Sequence, residues 1–401
     1  SPPPFSTSPS ASKGSGGYPD LPPLPPPPLP NVQTVYQKQR VIGRGMYGVV
    51  YAAKDLKTGR IVALKQMLSN GQKDSSSSGL AGQNHPPAGA LACTGFPVTY
   101  IREVGVLKRL SHENVVGFHG VVAKYCEKGV TPVSLFLSFD YEPYDLYGLL
   151  KTVTLTNDHL KSFSMQLLKG LFYAHQKSYM HRDIKPTNIL VSSHGVVKIA
   201  DWGLARSFTP GVTKRLTNNV VTLWYRAPEL LLGNKGLVYN QKIDVWSAGC
   251  VIAEMFMSNG SLFTGSDKQK QINQIWDVLG TPASSSWASR PEYSANFKDY
   301  VGSRPATAAN PEGKNLLYKN ISSSPRHPSY VTQSLIALIV SLLDQNPATR
   351  TTADKALDAN YFFESPVVKM TRDMKDIMNF RVESVHEMGV RNMREMKDGE
   401  K

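Results

Sequence analysis

The most informative part of this sequence is His181-Arg-Asp183-Ile-Lys185-Pro-Thr-Asn188, followed downstream by Asp201-Trp-Gly203. The first string contains a carboxylate, an amine two positions later and an amide five positions later. Side chains at this spacing can meet one hydroxyl nucleophile, one phosphate and one metal ion. Asp201 adds a second oxygen ligand of the kind that Mg²⁺ prefers. The two strings together predict a site for metal-assisted chemistry on a phosphate.

Upstream lies a glycine-rich run, Gly43-Arg-Gly45-Met-Tyr-Gly48-Val-Val50. It stands between two strand-like patterns, whereas a dinucleotide-binding fingerprint lies at a turn from a strand to a helix. Fifteen residues after Val50, the strand-like Val62-Ala-Leu-Lys65 can hold an ammonium group against phosphates. Glycines also occur in ordinary turns, so the run alone is weak evidence. Its position before Lys65 and the two strings around Asp183 and Asp201 favours a phosphate-binding loop.

The order of strand-like and helix-like patterns predicts an α+β fold. Apolar and β-branched residues cluster at 40–42, 48–52 and 61–64, separated by glycine-containing turns, as in strands. From Asn157 onward the apolar residues follow helical spacing. Strands first and helices later indicate a small sheet lobe followed by a larger helical lobe.

Composition excludes several classes of protein. The 401 residues are 41% hydrophobic and 19% charged, which is enough apolar material for a buried core. A formal net charge of +14 favours acidic partners such as nucleotides or phosphorylated peptides, without indicating a direct nucleic-acid site. The longest apolar run, Leu335–Leu343, is too short to span a bilayer. Three widely separated cysteines (Cys93, Cys126 and Cys250) form no disulfide framework and suggest a reducing compartment.

Two stretches have the composition of segments outside a packed core. Residues 1–30 are rich in proline, and the run Leu21–Pro30 favours polyproline II. This arm is either a ligand for an SH3- or WW-type groove or a disordered tether. The small and polar residues 69–95 predict a long surface insertion.

Taken together, residues 36–363 resemble the eukaryotic protein kinases, whose signature strings follow this order. The resemblance implies a bilobal fold that transfers the ATP γ-phosphoryl group with Mg²⁺. Its expected parts are a small lobe at about 31–143 carrying the 69–95 insertion, a large lobe at about 144–366 and an extension at 367–401. By resemblance, the catalytic residues are Asp183 (base), Lys185, Lys65 and Glu103, the Mg²⁺ ligands are Asn188 and Asp201, and the large-lobe anchors are Asp244 and Arg350. Ala227-Pro-Glu229 matches the end of the activation segment.

The nucleotide site follows from the same resemblance. Phe139 corresponds to a bulky gatekeeper, Asp145 to the ribose-binding carboxylate, and the backbone of 140–142 to the adenine-binding hinge. The expected nucleotide-binding residues are Ile42, Gly43, Arg44, Gly45, Met46, Tyr47, Gly48, Val50, Ala63, Lys65, Asp140, Glu142, Asp145 and Leu190, with Ile189 as the alternative to Leu190. Tyr47 matches an inhibitory phosphorylation site, whereas Met46 replaces its usual threonine neighbour. Trp202 replaces the family's phenylalanine, which leaves its stacking against His181 and Leu107 open.

The string Phe96-Pro-Val-Thr-Tyr-Ile-Arg102-Glu103 resembles the helix by which cyclin-dependent kinases bind a cyclin, although it could begin another kinase's helix. Further matches to that family lie at 220–226, 279–282 and 58–59. Thr217 matches the threonine that an activating kinase phosphorylates. Arg102, Arg182 and Arg206 match the arginines that bind its phosphate.

Within that family the strings at 139–146, 112–116 and 216–218 are similar to the transcriptional elongation kinases. These phosphorylate Ser/Thr-Pro sites in the RNA polymerase II tail, which implies a nuclear protein. His386-Glu387 matches a pair that elongation kinases carry near the nucleotide, or is part of a solvated tail. A cell-cycle kinase and a pseudokinase scaffold are the alternatives.

Met370, Met374 and Met378 recur at helical spacing in the C-terminal extension. This apolar stripe either packs on the kinase's own lobe or docks a partner.

Overall fold

The computed structural model describes residues 28–45, 48–67, 98–125, 132–209, 220–234, 236–257, 260–283, 286–302, 311–322, 328–368 and 386. Several predicted features lie outside these residues. They are most of the proline-rich arm, Met46, Tyr47, the 69–95 insertion, Thr217, Glu387 and the methionine-rich helix.

The small lobe is built on a five-stranded antiparallel sheet, which confirms the predicted strands. A short helix, α1 (Val32–Val35), precedes it. The strands are β1 (Tyr36–Gly45), β2 (Gly48–Asp55), β3 (Ile61–Met67), β4 (Phe118–Tyr125) and β5 (Pro132–Asp140). Their spatial order is β1-β2-β3-β5-β4, so β3 lies at the centre, between the glycine-rich hairpin and the strand that leads into the large lobe.

The sheet register brings the glycine-rich run next to Lys65. Gly45 pairs with Gly48 across the β1–β2 hairpin, and Val50 on β2 pairs with Lys65 on β3. At the far edge, the Ala123 N–H of β4 donates to the Pro30 carbonyl at 2.9 Å. The last residues of the proline-rich arm therefore lie along the outer edge of the sheet.

One helix packs beside this sheet. Helix α2 (Val98–Leu107) carries Glu103 on its buried side, where the side chain lies close to Lys65. Ile101 on the same helix is 62% exposed. The helix therefore has one face on the sheet lobe and one apolar residue toward solvent.

The large lobe is mainly helical among its described residues. Its helices are α3 (Leu146–Thr152), α4 (Asn157–Gln176), α5 (Pro228–Leu232), α6 (Lys242–Phe256), α7 (Lys268–Leu279), α8 (Ser294–Val301), α9 (Pro311–Ser322), α10 (Gln333–Leu342) and α11 (Ala353–Leu357). Short strands form two further small sheets, β6-β8-β9 and β10-β7: β6 (Tyr144–Asp145), β7 (Tyr179–Met180), β8 (Ile189–Val191), β9 (Val197–Ile199) and β10 (Arg206–Ser207). Within the described ranges, no helix combines the length and apolarity needed to span a membrane.

Two helices form the centre of this lobe. Thr156 and His159 cap the start of α4 reciprocally, and the predicted apolar stripe of α4 is largely buried. Every residue of α6 from Ile243 to Phe256 is buried. A helix that is apolar on all sides is expected only inside a core, and α6 has that position.

A buried ion pair fixes the base of the large lobe. The Arg350 guanidinium donates to both carboxylate oxygens of Glu229 at 2.7 and 2.8 Å, and both side chains are almost fully buried. Arg350 also donates to the carbonyls of Asp344 and Lys242, and it lies 5.1 Å from the Trp246 ring. One side chain thus joins α5, α6 and the segment before α11.

Candidate active site

The loop that carries Asp183 is held by a carboxylate of the central helix. Asp244, in the first turn of α6, accepts from the backbone N–H groups of His181 and Arg182, both at 2.8 Å. His175 Nε2 lies 3.0 Å from the same carboxylate. These bonds tie the two residues before Asp183 to the buried helix α6, and they thereby position the Asp183 side chain.

Four donors surround the Asp183 carboxylate. Asn188 Nδ2 lies 3.1 Å and Lys185 Nζ 2.8 Å from Oδ2. The Thr222 backbone N–H and hydroxyl donate to Oδ1 at 3.2 and 3.0 Å. Hydrogen bonds of this kind hold a carboxylate in one orientation. The predicted grouping of Asp183, Lys185 and Asn188 is therefore present in space.

A second cluster joins the two lobes through Lys65. Its Nζ lies 2.9 Å from Glu103 Oε1 and 2.8 Å from Asp201 Oδ1. Burial opposes the charge of Lys65, but the carboxylates of Asp201 and Glu103 raise its pKa above the ordinary value. Burial likewise opposes the charge of Asp201, yet Lys65 lowers the pKa of that carboxyl. For Glu103, burial is the larger effect and raises its pKa.

Asn188 and Asp201 offer oxygen donors near these two clusters. Asn188 Nδ2 donates to the Asp183 carbonyl at 2.8 Å, which leaves the amide oxygen as the acceptor end of the side chain. Asp201 has a backbone φ of +61° at the start of a 3₁₀ turn. Within the described residues, no group of three or more His, Cys, Asp or Glu side chains could hold a metal alone. The donor set therefore fits a hard cation that completes its shell with phosphate oxygens.

Trp202, where the kinases usually have phenylalanine, fits without displacing its neighbours. The indole is fully buried, and its Nε1 donates to the Ile199 carbonyl at 3.0 Å. Its ring meets the His181 ring edge-on, with centroids 4.6 Å apart. His181 Nε2 in turn lies 2.9 Å from the Ala200 carbonyl. The larger ring thus adds a hydrogen bond that phenylalanine cannot form.

The predicted nucleotide cleft lies between the glycine-rich hairpin and β8. Ile42, Gly43, Val50 and Ala63 are half-buried on the strands, and Arg44 is exposed. On β8, Leu190 is half-buried whereas its neighbours Ile189 and Val191 are fully buried. The alternation places Leu190, rather than Ile189, on the accessible face of the strand.

Asp145 lies on β6, where it pairs with Leu190 on β8. Its Oδ1 accepts from the Gly148 N–H at 2.6 Å and so caps helix α3. Its other oxygen lies 3.7 Å from His386 Nδ1, and the His386 ring is 6.3 Å from Tyr141. His386 of the C-terminal extension therefore lies next to Asp145, the predicted ribose-binding residue, whereas Glu387 lies outside the described residues.

Three positively charged side chains, Arg102, Arg182 and Arg206, lie close together at the predicted catalytic loop, residues 181–188. Burial, followed by the like charges of Arg182 and Arg102, lowers the pKa of Arg206 to about 10. Arg182 donates to the Leu204 carbonyl at 2.8 Å and to the Tyr239 hydroxyl at 2.7 Å. The predicted grouping of these arginines is present, whereas Thr217 lies outside the described residues.

Sequence analysis missed three residues that shape the site. Thr222 holds Asp183 in place, and Lys198 on β9 lies 2.9 Å from Asp140. Arg226 Nη2 donates to the Val221 carbonyl at 2.8 Å. Val221 has a φ of +67°, a conformation that β-branched residues rarely adopt. Thr222 and Arg226 lie in the segment 220–226, which had been matched to the family as a whole without a role for either residue. In the sequence, Lys198 cannot be distinguished from an ordinary polar residue of a strand.

Comparison with known proteins agrees with this geometry. The model of the protein kinase domain family matches residues 36–362. The chain is 35% identical to cyclin-dependent kinase C-1 of Arabidopsis thaliana over 379 residues, which are 90% of this chain and 65% of that relative. It is 33% identical to cyclin-dependent kinase 9-B of Xenopus laevis over 367 residues, 88% of this chain and 86% of that one.

A solved structure shares the same architecture. It is the crystal structure of the yeast RNA Pol II CTD kinase CTDK-1 complex, with a TM-score of 0.67 and 30% sequence identity. The match covers 84% of this chain and 95% of the solved one. This chain therefore belongs to the protein kinase family and, within it, to the cyclin-dependent kinases.

Proposed function

We propose that this protein is a cyclin-dependent serine/threonine kinase of transcription, which transfers the ATP γ-phosphoryl group to Ser/Thr-Pro sites. The observation that carries the proposal is the double cluster of Lys65 with Glu103 and Asp201, and of Asp183 with Lys185 and Asn188. A pseudokinase scaffold has no need to keep these charged groups buried together. An assay with radiolabelled ATP separates the two functions.

In the proposed reaction Asp183 orients the substrate hydroxyl and accepts its proton. Its bonds to Thr222 and Asn188 keep the carboxylate in place for that step. Lys65 holds the α- and β-phosphates, and Lys185 stabilises the phosphoryl group during transfer. Because little covalent chemistry falls to the protein, most of the acceleration comes from positioning and electrostatics.

Asn188 and Asp201 are the residues that would hold Mg²⁺, as in the protein kinase family generally. When bound, the ion neutralises phosphate charge. The hinge backbone from Asp140 to Glu142 is proposed to bind adenine, with Val50 and Ala63 above the ring and Leu190 below it. Asp145 is proposed to bind the ribose.

Selectivity for proline follows from the backbone at Val221. The left-handed backbone of Val221 directs its carbonyl to Arg226 Nη2, and we propose that it is thereby turned away from a substrate N–H after the phosphoacceptor. A residue with such an N–H would leave the donor unpaired, whereas proline has none. We expect kcat/KM for Ser-Pro peptides to exceed that for Ser-Ala peptides by about tenfold or more.

The matched control is a peptide with N-methylalanine after the serine. It lacks the N–H donor but has no pyrrolidine ring, so its kcat/KM should approach that of the Ser-Pro peptide. Equal rates on Ser-Pro and Ser-Ala peptides would reject the mechanism. A rate for the N-methylalanine peptide as low as for Ser-Ala would assign the selectivity to the proline ring instead.

Activation is proposed to need a cyclin and phosphorylation of Thr217. The charge gathered at Arg102, Arg182 and Arg206 suits a phosphothreonine, which carries about −1.5 to −2 charges and three acceptor oxygens. These arginines belong to α2, the catalytic loop and the segment after Asp201. We expect Thr217 phosphorylation to raise the turnover of the cyclin complex by about tenfold or more, because it would tie these three segments together.

The measurement compares the isolated chain, the cyclin complex and the Thr217→Ala cyclin complex, with phosphorylation followed by mass spectrometry. Thr213→Ala, in the same segment, is the control and should keep the gain. Nucleotide binding should be unchanged in both variants. Full turnover of the unphosphorylated, cyclin-free chain would overturn the proposal.

The transcriptional role is favoured by the relatives. The solved structure is that of a kinase for the RNA polymerase II tail, and one relative is a cyclin-dependent kinase 9. We propose the polymerase tail as the substrate and the nucleus as the location. Profiling the purified cyclin complex on polymerase-tail and histone H1 peptides tests this. A preference for histone peptides would indicate the cell-cycle alternative.

A further inference from the structure

We propose that Lys198 is a positioning residue for the nucleotide, because it fastens the hinge carboxylates of Asp140 and Glu142 to β9. This inference rests on the proposed function, in which the hinge backbone binds adenine. Lys198 itself is not proposed to touch the nucleotide.

The geometry places one ammonium group between two hinge carboxylates. Lys198 Nζ lies 2.9 Å from Asp140 Oδ2 and 3.6 Å from Glu142 Oε1. Residues two apart in an extended chain point to the same side, which is why both carboxylates can reach one amine. Lys198 lies on β9, an outer strand of the order β6-β8-β9, and pairs with Leu190 on β8, at the proposed floor of the adenine site.

The small lobe also contacts the Asp140 carboxylate. The Gly117 N–H donates to Asp140 Oδ2 at 3.1 Å, and the Asp140 N–H donates to the Gly117 carbonyl at 2.9 Å. His119 Nε2 on β4 lies 3.1 Å from Asp140 Oδ1. A Cβ at Gly117 would collide with the Asp140 carboxylate, so a larger residue there would displace that side chain from its present contacts. Asp140 thus joins the edge of the small lobe to β9 of the large lobe.

Lys198 matters more for the charge of Glu142 than for that of Asp140, which also contacts His119. The Glu142 side chain is 9% exposed, and among the described residues Lys198 is the cation that contacts it. Burial raises the pKa of Glu142 to about 7, with Lys198 acting against that rise and Asp140 adding to it. For Asp140, the bond to His119 and the contact with Lys198 lower the pKa. The charged and titratable groups around Glu142 are therefore Lys198, Asp140 and, beyond Asp140, His119.

The hinge is restrained on its opposite side by a different contact. Tyr141, between the two carboxylates, receives a hydrogen bond from Arg40 Nη2 of β1 at 3.0 Å from its hydroxyl. Lys198 from the large lobe and Arg40 from the small lobe thus both contact side chains of the 140–142 segment. If Lys198 is removed, two adjacent carboxylates lose the cation between them and the backbone is free to shift.

Lys198→Met is expected to raise KM for ATP by about fivefold or more and to change kcat by less than about twofold, since the reacting groups are untouched. The increase should be larger at about pH 8 than at about pH 6, because an ionised Glu142 then lacks its partner. In the Lys198→Met/Glu142→Gln double variant the increase should be the same at both pH values. Binding of a fluorescent ADP analogue gives the same comparison without turnover.

Lys198→Arg should restore KM, because a guanidinium can reach both carboxylates. Lys242→Met is the matched control, since this half-buried lysine of α6 lies in the large lobe and its ammonium donates to the Ala348 carbonyl. Its KM should not change. An unchanged KM and ADP affinity in folded Lys198→Met would overturn the inference. A wild-type complex that transfers no phosphate would instead overturn the proposed function.

Discussion

Asp183→Asn is expected to lower kcat by about 10²–10⁴-fold while nucleotide affinity stays close to that of the wild type. The amide keeps the size of the side chain and can still meet Thr222 and Asn188. It cannot accept a proton from the substrate hydroxyl. The measurement is steady-state turnover of the cyclin complex on a Ser-Pro peptide, together with ADP binding by calorimetry.

Asp299→Asn is the control for this variant, because Asp299 is exposed on α8. It should leave turnover unchanged. If Asp183→Asn kept wild-type kcat, the proposed role of Asp183 as the base would be wrong. If it lost nucleotide binding as well, the carboxylate would be needed for the site to form, which the geometry does not predict.

Arg350→Met is expected to lower the free energy of unfolding by about 3–5 kcal/mol, because it leaves Glu229 buried without its cation. The same change removes the donors to the Asp344 and Lys242 carbonyls. The measurement is urea unfolding of the two proteins, followed by far-UV circular dichroism.

The double variant Glu229→Gln/Arg350→Met separates charge from packing. Glutamine carries no charge, so the double variant should recover part of the lost stability relative to Arg350→Met. No recovery would mean that the carbonyl contacts and the packing of Arg350 account for the loss. A destabilisation of Arg350→Met below about 1 kcal/mol would contradict the role of the buried pair.

The clusters around Asp183 and Lys65 could be predicted because their members stand in strings of fixed spacing. Asp183, Lys185 and Asn188 are close in sequence, so one loop brings them together. Lys65, Glu103 and Asp201 are far apart, and their meeting was predicted through the family resemblance rather than from spacing. The α+β order, by contrast, could be predicted from periodicity alone.

The contacts that could not be predicted depend on strand order and on single backbone angles. Lys198 reaches Asp140 only because β9 lies below the end of β5, which no local pattern shows. Val221 has a left-handed backbone despite a side chain that disfavours it. Arg226 stabilises that conformation from five residues away. Polar residues in strands and turns carry no signal that separates such roles from ordinary solvent exposure.

The bond from Trp202 to the Ile199 carbonyl bears on the choice of inhibitors. A compound that occupies the space of the Trp202 side chain must break this bond and expose a fully buried indole. The bond alone contributes about 0.5–1.5 kcal/mol, up to about a tenfold loss in affinity relative to a kinase with phenylalanine there. Compounds that leave Trp202 in place and contact the hinge are therefore the better starting point for selective ligands of this kinase.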